Sequence, residues 1–362
     1  MPQFDPLNEK LKKLYEESLT YAGHREHRTV DATWKSIVMF ETATGRKPFT
    51  SFSTEQAKAF RHYLEKQTTE KGDPLSLASM RSHLANVRAF FLWLRMHPKV
   101  GKKINGQATE YLHLSRNEDR AARASKPRQV PTIDQMRQAI AAMPHETELE
   151  KRDRAVIALA ACTAARDAAL ISLRLEDVDV ANRTVWQNPK HVRTKYRKGI
   201  NTTWVPVVPE WEEIVVQWVE FLRQEKGFGD KDPLFPLTLV ELNPDKQEFE
   251  EKGLSSDFWK SAAAVRAIFR KGFERVGLPY FHPHTCRHML TNWMMENGSQ
   301  QEFKALSQNL GHEHVMTTYN SYGSLSVETQ RKLIRNIGQR NDSLAGVTDD
   351  ELWAEMARRR KV

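Results

Sequence analysis

Hydrophobic positions recur with a helical period through the first third of the chain and then give way to a mixed pattern. From Asp31, Trp34, Ile37 and Val38 share one face. In SFSTEQAKAFRHYLEK, Ser53 and Gln56 have capping-box spacing, and Phe60, Tyr63 and Leu64 form the apolar side. The clearest pattern is SLASMRSHLANVRAFFLWLRMHP, where Leu77, Met80, Leu84, Val87, Phe91 and Leu94 recur at helical spacing until Pro98 stops the run. These runs predict an all-helical domain over residues 30–115, preceded by a polar N-terminal arm over residues 1–29. Residues 116–131 have little apolar content and read as an interdomain linker. It ends at Pro131-Thr132, a start signal for the helix TIDQMRQAIAAM. Residues 132–340 predict a second, mixed domain. Its first part reads helix, turn, helix, turn, strand, and NTTWVPVVPEW then alternates like a strand before Pro209 opens a helix carrying Ile214, Val215, Trp218 and Leu222. Two strands joined through PKHVRTKYRKGI predict a hairpin with a basic tip, and helices dominate from Phe258. Residues 341–362 form a tail with an amphipathic cluster of Leu352, Trp353 and Met356. The expected fold class is mainly α with a small β-hairpin or sheet.

Composition changes this picture little, and charge changes it more. With 362 residues, 40% hydrophobic and 28% charged, the chain suits two soluble globular domains. Its longest apolar run, AVIALAAC at 155–162, has the length of a core helix and not of a membrane span. The N-terminus lacks the apolar stretch of a signal peptide. Cys162 and Cys286 are the only cysteines, so a disulfide framework is not expected and a reducing cytoplasm is. The net charge of +9 suits a polyanionic partner, either nucleic acid or an anionic membrane surface. Arg81, Arg88 and Arg95 recur every seven residues beside the stripe of the third helix, as a solvated edge or a DNA-contacting row. Arg116, Arg120, Arg123, Lys126 and Arg128 crowd the linker, a placement suited to a phosphate backbone.

The stretch FHPHTCRHML raises the question of a metal. His282, His284, Cys286 and His288 would share a face in an extended strand. However, Pro283 suits a first helical position and the residues up to Gly298 read as helix, which puts His284, Arg287 and His288 on one face and His282 and Cys286 elsewhere. No HExxH motif, glycine-rich phosphate loop or Gly-x-Ser-x-Gly elbow is present.

Four segments, in order, instead resemble the tyrosine recombinases, or phage integrase family. His284-Thr-Cys-Arg287 is similar to the family's H-x-x-R box, and TAARDAALISLRLEDVD at 163–179 to its first arginine box. The basic hairpin with Lys190, Lys195 and Lys198 lies between them, and NLGHEHVMTTYNSYG at 309–323 resembles the Leu-Gly-His segment and its following tyrosine. Residues 30–115 are similar to the family's core-binding domain, so the resemblance implies two domains forming a C-shaped clamp around DNA. It implies cutting and rejoining of DNA without metal, ATP or other cofactor. A tyrosine attacks a backbone phosphate, forms a 3′-phosphotyrosine and expels a 5′-hydroxyl. Arg166 and Arg287 would stabilise the charge on the phosphate oxygens, which suits the planar guanidinium fork. His284 would take the tyrosine proton or donate to a phosphate oxygen, His312 would hydrogen-bond the phosphate, and a hairpin lysine would protonate the leaving oxygen. His288 is left a structural role, and His282 and Cys286 none.

The match has departures. Nine residues after His312 stands Ser321, with Tyr319 and Tyr322 on either side. Tyr322 is preferred, since the segment resembles variants in which Thr-Thr is followed by three residues and Tyr-Gly. The lysine is Lys195 or, alternatively, Lys198. Ala164 and Ala169 stand where the first box often has Gly and Glu. The partners implied are double-stranded DNA with inverted-repeat half-sites and further copies of the chain, from dimer to tetramer. No membrane is implied. A non-catalytic DNA-binding accessory member and a type IB topoisomerase-like enzyme are the alternatives.

Overall fold

A computed structural model of the chain describes residues 4–123, 129–194, 197–243, 247–322 and residues 330, 331, 334 and 335. The chain divides into two compact units, Met1–Lys126 and Pro127–Val362.

The first unit is helical: α1 (Pro6–Glu17), α2 (His27–Ala43), α3 (Thr54–Glu65), α4 (Leu77–Met96) and α5 (Arg116–Arg123). Ser53 and Gln56 form the expected capping box at α3. A cluster of phenylalanines fills the centre, with Phe40 touching Phe49, Phe52, Phe60 and Phe91, and Phe52 stacked on Phe91 at 3.7 Å. Two sequence expectations are corrected here. Residues 1–29 are not simply a polar arm. Asp5 caps α1, Pro6 opens it, and Leu11 and Tyr15 enter the same core as the phenylalanines. The polar residues that disguised this helix are themselves matched inside. Lys12 pairs with Glu41 of α2 at 2.7 Å, and Asn8 donates to the Lys47 carbonyl and accepts from the Phe49 amide. Residues 116–123, read as linker, form α5. Its Glu118 accepts from Arg61 and its Asp119 from Arg81, which hold it on α3 and α4. Lys126 and Arg128 lie outside the described residues.

The second unit is built around α7 (Glu148–Thr163), which follows α6 (Ile133–Ala141) and is buried on every side from Ala155 to Thr163. An all-round apolar helix is a core helix. Its alanines let α9 (Pro209–Glu220) approach closely through Trp211, Val215 and Trp218. Between these helices come α8 (Asp167–Leu170) and an antiparallel sheet of β1 (Val178–Asp179), β2 (Thr184–Gln187) and β3 (Ile200–Thr203). The β2–β3 register pairs Thr184 with Thr203 and Gln187 with Ile200. The strand in NTTWVPVVPEW is thus short, because Pro206 and Pro209 withdraw the amide donors a longer strand would need. A second hairpin, β4 (Pro236–Asn243) with β5 (Glu248–Phe258), carries register shifts near each end of its first half and was not expected from the sequence. Helices α10 (Ala263–Glu274), α11 (Thr285–Asn297), α12 (Gln300–Asn309) and α13 (Val315–Tyr322) complete the unit. The tail with Leu352, Trp353 and Met356 lies outside the described residues. No described helix is long and apolar enough to cross a membrane.

Candidate active site

Four local features of the second unit deliver the site. At the end of α7, Ala164 takes the left-handed conformation, φ +50°, which turns the chain so that Arg166 begins α8. Asp167 does not pair with Arg166, because it accepts from Arg266 at 2.9 and 3.0 Å. Among the described residues no ion pair engages Arg166, which is half-buried.

Arg287 lies on the first turn of α11, 2% exposed. Its Nε donates to the Ala164 carbonyl at 2.9 Å and its Nη1 to the Leu310 carbonyl at 3.1 Å. One side chain therefore ties the first arginine box to the Leu-Gly-His turn. Neither contact neutralises it, and among the described residues no carboxylate pairs with it. Burial, with the charge of Arg166 beside it, pushes its pKa down to about 10, against the opposing influence of Tyr322. It stays protonated at neutral pH. A buried cation without an anion costs several kcal/mol, so the site favours an incoming anion.

His284 precedes the first turn of α11. Its backbone amide donates to His282 Nδ1 at 3.1 Å, which gives His282 a capping role that the sequence reading missed. Burial first, then the charges of Arg287, His288, Arg166 and His282, lower the His284 pKa to about 4. At neutral pH its imidazole is uncharged and can accept a proton. Cys286, on the opposite side of the helix, is buried in the apolar core.

Tyr322 ends α13, 7% exposed, with its ring among three histidines. It stacks on His312 (5.6 Å, 10° between planes), meets His288 edge-on (4.8 Å) and lies 5.6 Å from His284. Its hydroxyl faces His284 Nε2 at 3.5 Å, long for a hydrogen bond but of the kind that tightens when substrate enters. Tyr319 is elsewhere, half-exposed against Phe303. His312 follows Gly311, whose φ of +78° makes the turn. Its Nδ1 lies 2.7 Å from Thr318 Oγ1, and that hydroxyl donates to Ser307 Oγ at 2.7 Å. With the Thr318 proton directed to Ser307, the Thr318 oxygen is left to accept from His312 Nδ1. Thr318 and Ser307 were not legible beforehand, because nothing in their spacing marks a contact with His312.

The structure brings Arg287, His284, His312 and Tyr322 together, with the charge of Arg166 acting on His284 and Arg287. Lys195 lies outside the described residues. Lys198 pairs with Glu313 at 3.0 Å, and Lys190 is exposed. In the first unit, Arg81 and Arg123 both pair with Asp119 and Arg88 pairs with Glu110, while Arg95 lies against Gly106 and Arg120 is exposed.

Comparison with known proteins adds the following. The chain is 23% identical over 261 residues to the tyrosine recombinase XerC of Lactobacillus delbrueckii subsp. bulgaricus, covering 71% of this chain and 76% of that protein. For XerC of Lactobacillus leichmannii the identity is 25% over 187 residues, and the match spans 55% of that protein's length. Among solved structures, the Tn1549 transposon integrase in complex with transposon right end DNA aligns with a TM-score of 0.54 at 15% identity, over 91% of this chain and 99% of that one. A lambda integrase dimer bound to a COC′ core site aligns with a TM-score of 0.51 at 16% identity, over 86% and 94%. These two likenesses concern the fold. The model of the phage integrase family matches residues 130–328, more than half of the chain and all of the residues gathered around Tyr322, so the chain belongs to the phage integrase family of tyrosine recombinases.

Proposed function

We propose that this chain is a site-specific DNA recombinase that cuts and rejoins strands through a 3′-phosphotyrosine. The observation that supports this most directly is the Tyr322 hydroxyl held against neutral His284, beside a buried Arg287 that no carboxylate among the described residues neutralises. The Tyr322 oxygen attacks a backbone phosphorus as its proton passes to His284 Nε2. Negative charge grows on the non-bridging oxygens, where Arg166 and Arg287 stabilise it. His312 orients the phosphate, and the leaving 5′-oxygen takes a proton from a hairpin lysine, Lys195 in preference to Lys198. The phosphodiester is conserved as a phosphotyrosine, and attack by a 5′-hydroxyl reverses each step.

Residues 30–115 would supply further DNA contacts through Arg81, Arg88 and Arg95, and the basic segment 116–131 through Arg120, Arg123 and Lys126. Two copies on inverted half-sites, paired into a tetramer, would exchange strands to integrate or excise a mobile element. The transposon-end and core-site complexes of the structural relatives support that assignment of partner.

A nicked suicide substrate carrying the recognition site tests the reading. The unaltered protein is expected to form a covalent adduct that survives denaturation. Tyr322→Phe is expected to abolish the adduct while retaining DNA binding, and Tyr319→Phe to leave it. Adduct formation by Tyr322→Phe would refute Tyr322 as nucleophile. Tight, specific binding with no adduct from the unaltered protein would mark a non-catalytic accessory member.

A further inference from the structure

Five consecutive residues, starting with the last residue of α12, contact two different parts of the site in alternation. Leu310 and His312 serve the phosphate side: the Leu310 carbonyl accepts from Arg287, and the His312 ring stacks on Tyr322. Asn309, Gly311 and Glu313 face the β2–β3 hairpin. The Asn309 side chain accepts from the Thr203 amide and donates to the Thr203 carbonyl, both at 2.7 Å. It thereby occupies the edge of β3 as a neighbouring peptide would. The Asn309 carbonyl accepts from Thr202 Oγ1 at 3.3 Å, and Thr202 in turn accepts from Gln187 of β2 at 3.0 Å. Gly311 leaves no room for a side chain, since a Cβ there would lie 2.7 Å from Ile200 Cδ1 at the start of β3. Glu313 accepts from Lys198 at 3.0 Å.

We infer that Asn309 is a positioning residue that fixes the lysine-bearing β2–β3 hairpin relative to the arginines, His284 and Tyr322. The inference rests on the proposed reading, in which the hairpin supplies the proton for the leaving oxygen. Proton transfer to that oxygen demands placement of two separate pieces of chain, the hairpin and the residues around Tyr322. Asn309 is the point where β3 is bonded through both backbone groups of one residue to the turn that carries His312. An amide is the side chain suited to the task, because it donates and accepts in one plane. Aspartate keeps the shape but sets a carboxylate against the Thr203 carbonyl, and alanine leaves both groups of Thr203 without this partner.

The test compares two suicide substrates in single-turnover cleavage, one with an ordinary 5′-bridging oxygen and one with sulfur in its place. A thiolate leaves without being protonated, so cleavage of the second substrate does not need the general acid. Asn309→Ala and Asn309→Asp are expected to bind the site as the unaltered protein does. On the ordinary substrate both are expected to cleave on the order of 10²-fold more slowly, the cost of misplacing a catalytic group by about an ångström. On the sulfur substrate most of that loss is expected to vanish, as for Lys195→Ala or Lys198→Ala, whichever lysine is the acid. Arg287→Ala is expected to remain slow on both. An equal loss on both substrates for the Asn309 variants would overturn the inference, because Asn309 would then act on the arginine side or on folding. Full activity on both substrates would also overturn it. If neither lysine variant recovers with sulfur, the inference falls with its premise, while an adduct absent only in Tyr322→Phe leaves the nucleophile standing.

Discussion

His284 illustrates how strongly this site sets the state of a single residue. Burial and a ring of cationic or titratable neighbours act in the same direction, so its pKa falls from 6.5 to about 4. In the unfolded chain His284 is protonated below about pH 6.5, whereas in the folded protein it stays neutral until about pH 4. The folded state binds fewer protons in that window. Its contribution to stability is therefore fully present above pH 6.5 and is lost as the pH falls toward 4. His284 is partly open to solvent, so the loss discounts to about 1–2 kcal/mol. Urea unfolding of the unaltered protein and of His284→Gln, compared at several pH values, checks this. The difference in unfolding free energy between the two is expected to shift against the unaltered protein by that amount on acidification. A difference that stays constant with pH would mean that His284 titrates normally. The same lowered pKa keeps the residue ready to accept the Tyr322 proton at neutral pH, so function and acid sensitivity share one cause.

Two turns, each with a residue in the left-handed region, place the elements of the site, and the sequence solved them differently. At Gly311, φ is +78° and the space beside it is taken by Ile200. Gly311→Ala is expected to destabilise the unit by about 1–3 kcal/mol, from left-handed strain plus displacement of Ile200. At Ala164 a side chain already tolerates φ +50°. There Ala164→Gly relieves about 1–2 kcal/mol of strain but gives up a buried methyl worth about 0.8 kcal/mol and adds unfolded-state freedom. The terms offset, and thermal denaturation is expected to find it within about 1 kcal/mol of the unaltered protein; a large change in either direction would contradict the accounting. These turns also mark what could be read in advance. Helices with strong apolar periodicity and capping boxes, such as α3, α4 and α6, were legible because their signals are local. So were the residues that meet around Tyr322, because a resemblance in four ordered segments identified them. Helix α1 was missed because Asn8, Lys12 and Glu41 look like surface and become interior only through one another. The β4–β5 hairpin was missed because strands as acidic as EFEEKGLSS lack the β-branched alternation that announces a strand. Asn309 was missed because its partner lies more than a hundred residues away.

Over the whole molecule the net charge of +9 conceals how many cations are already engaged. Two members of the arginine row of α4, proposed to meet DNA, are held by acids of their own unit: Arg81 shares Asp119 with Arg123 of α5, and Arg88 pairs with Glu110. Such exposed pairs are worth about 0–1 kcal/mol each, so they hold geometry without much stability. Their larger effect is on DNA binding. An arginine that keeps its acid beside it brings a phosphate and a carboxylate together and gains little from counterion release. Asp119→Asn removes that acid, frees two guanidinium groups and raises the net charge. It is expected to tighten binding to a half-site at low salt and to steepen the dependence of log affinity on log salt by about 1–2, at roughly 0.9 per phosphate neutralised. Adding Arg81→Ala to Asp119→Asn is expected to take back about 1 of that increase in slope. Titrations of half-site DNA between roughly 50 and 200 mM salt measure both. If neither substitution alters the slope, α4 and α5 do not face the phosphates, and the DNA contacts of the first unit must be sought on another of its surfaces.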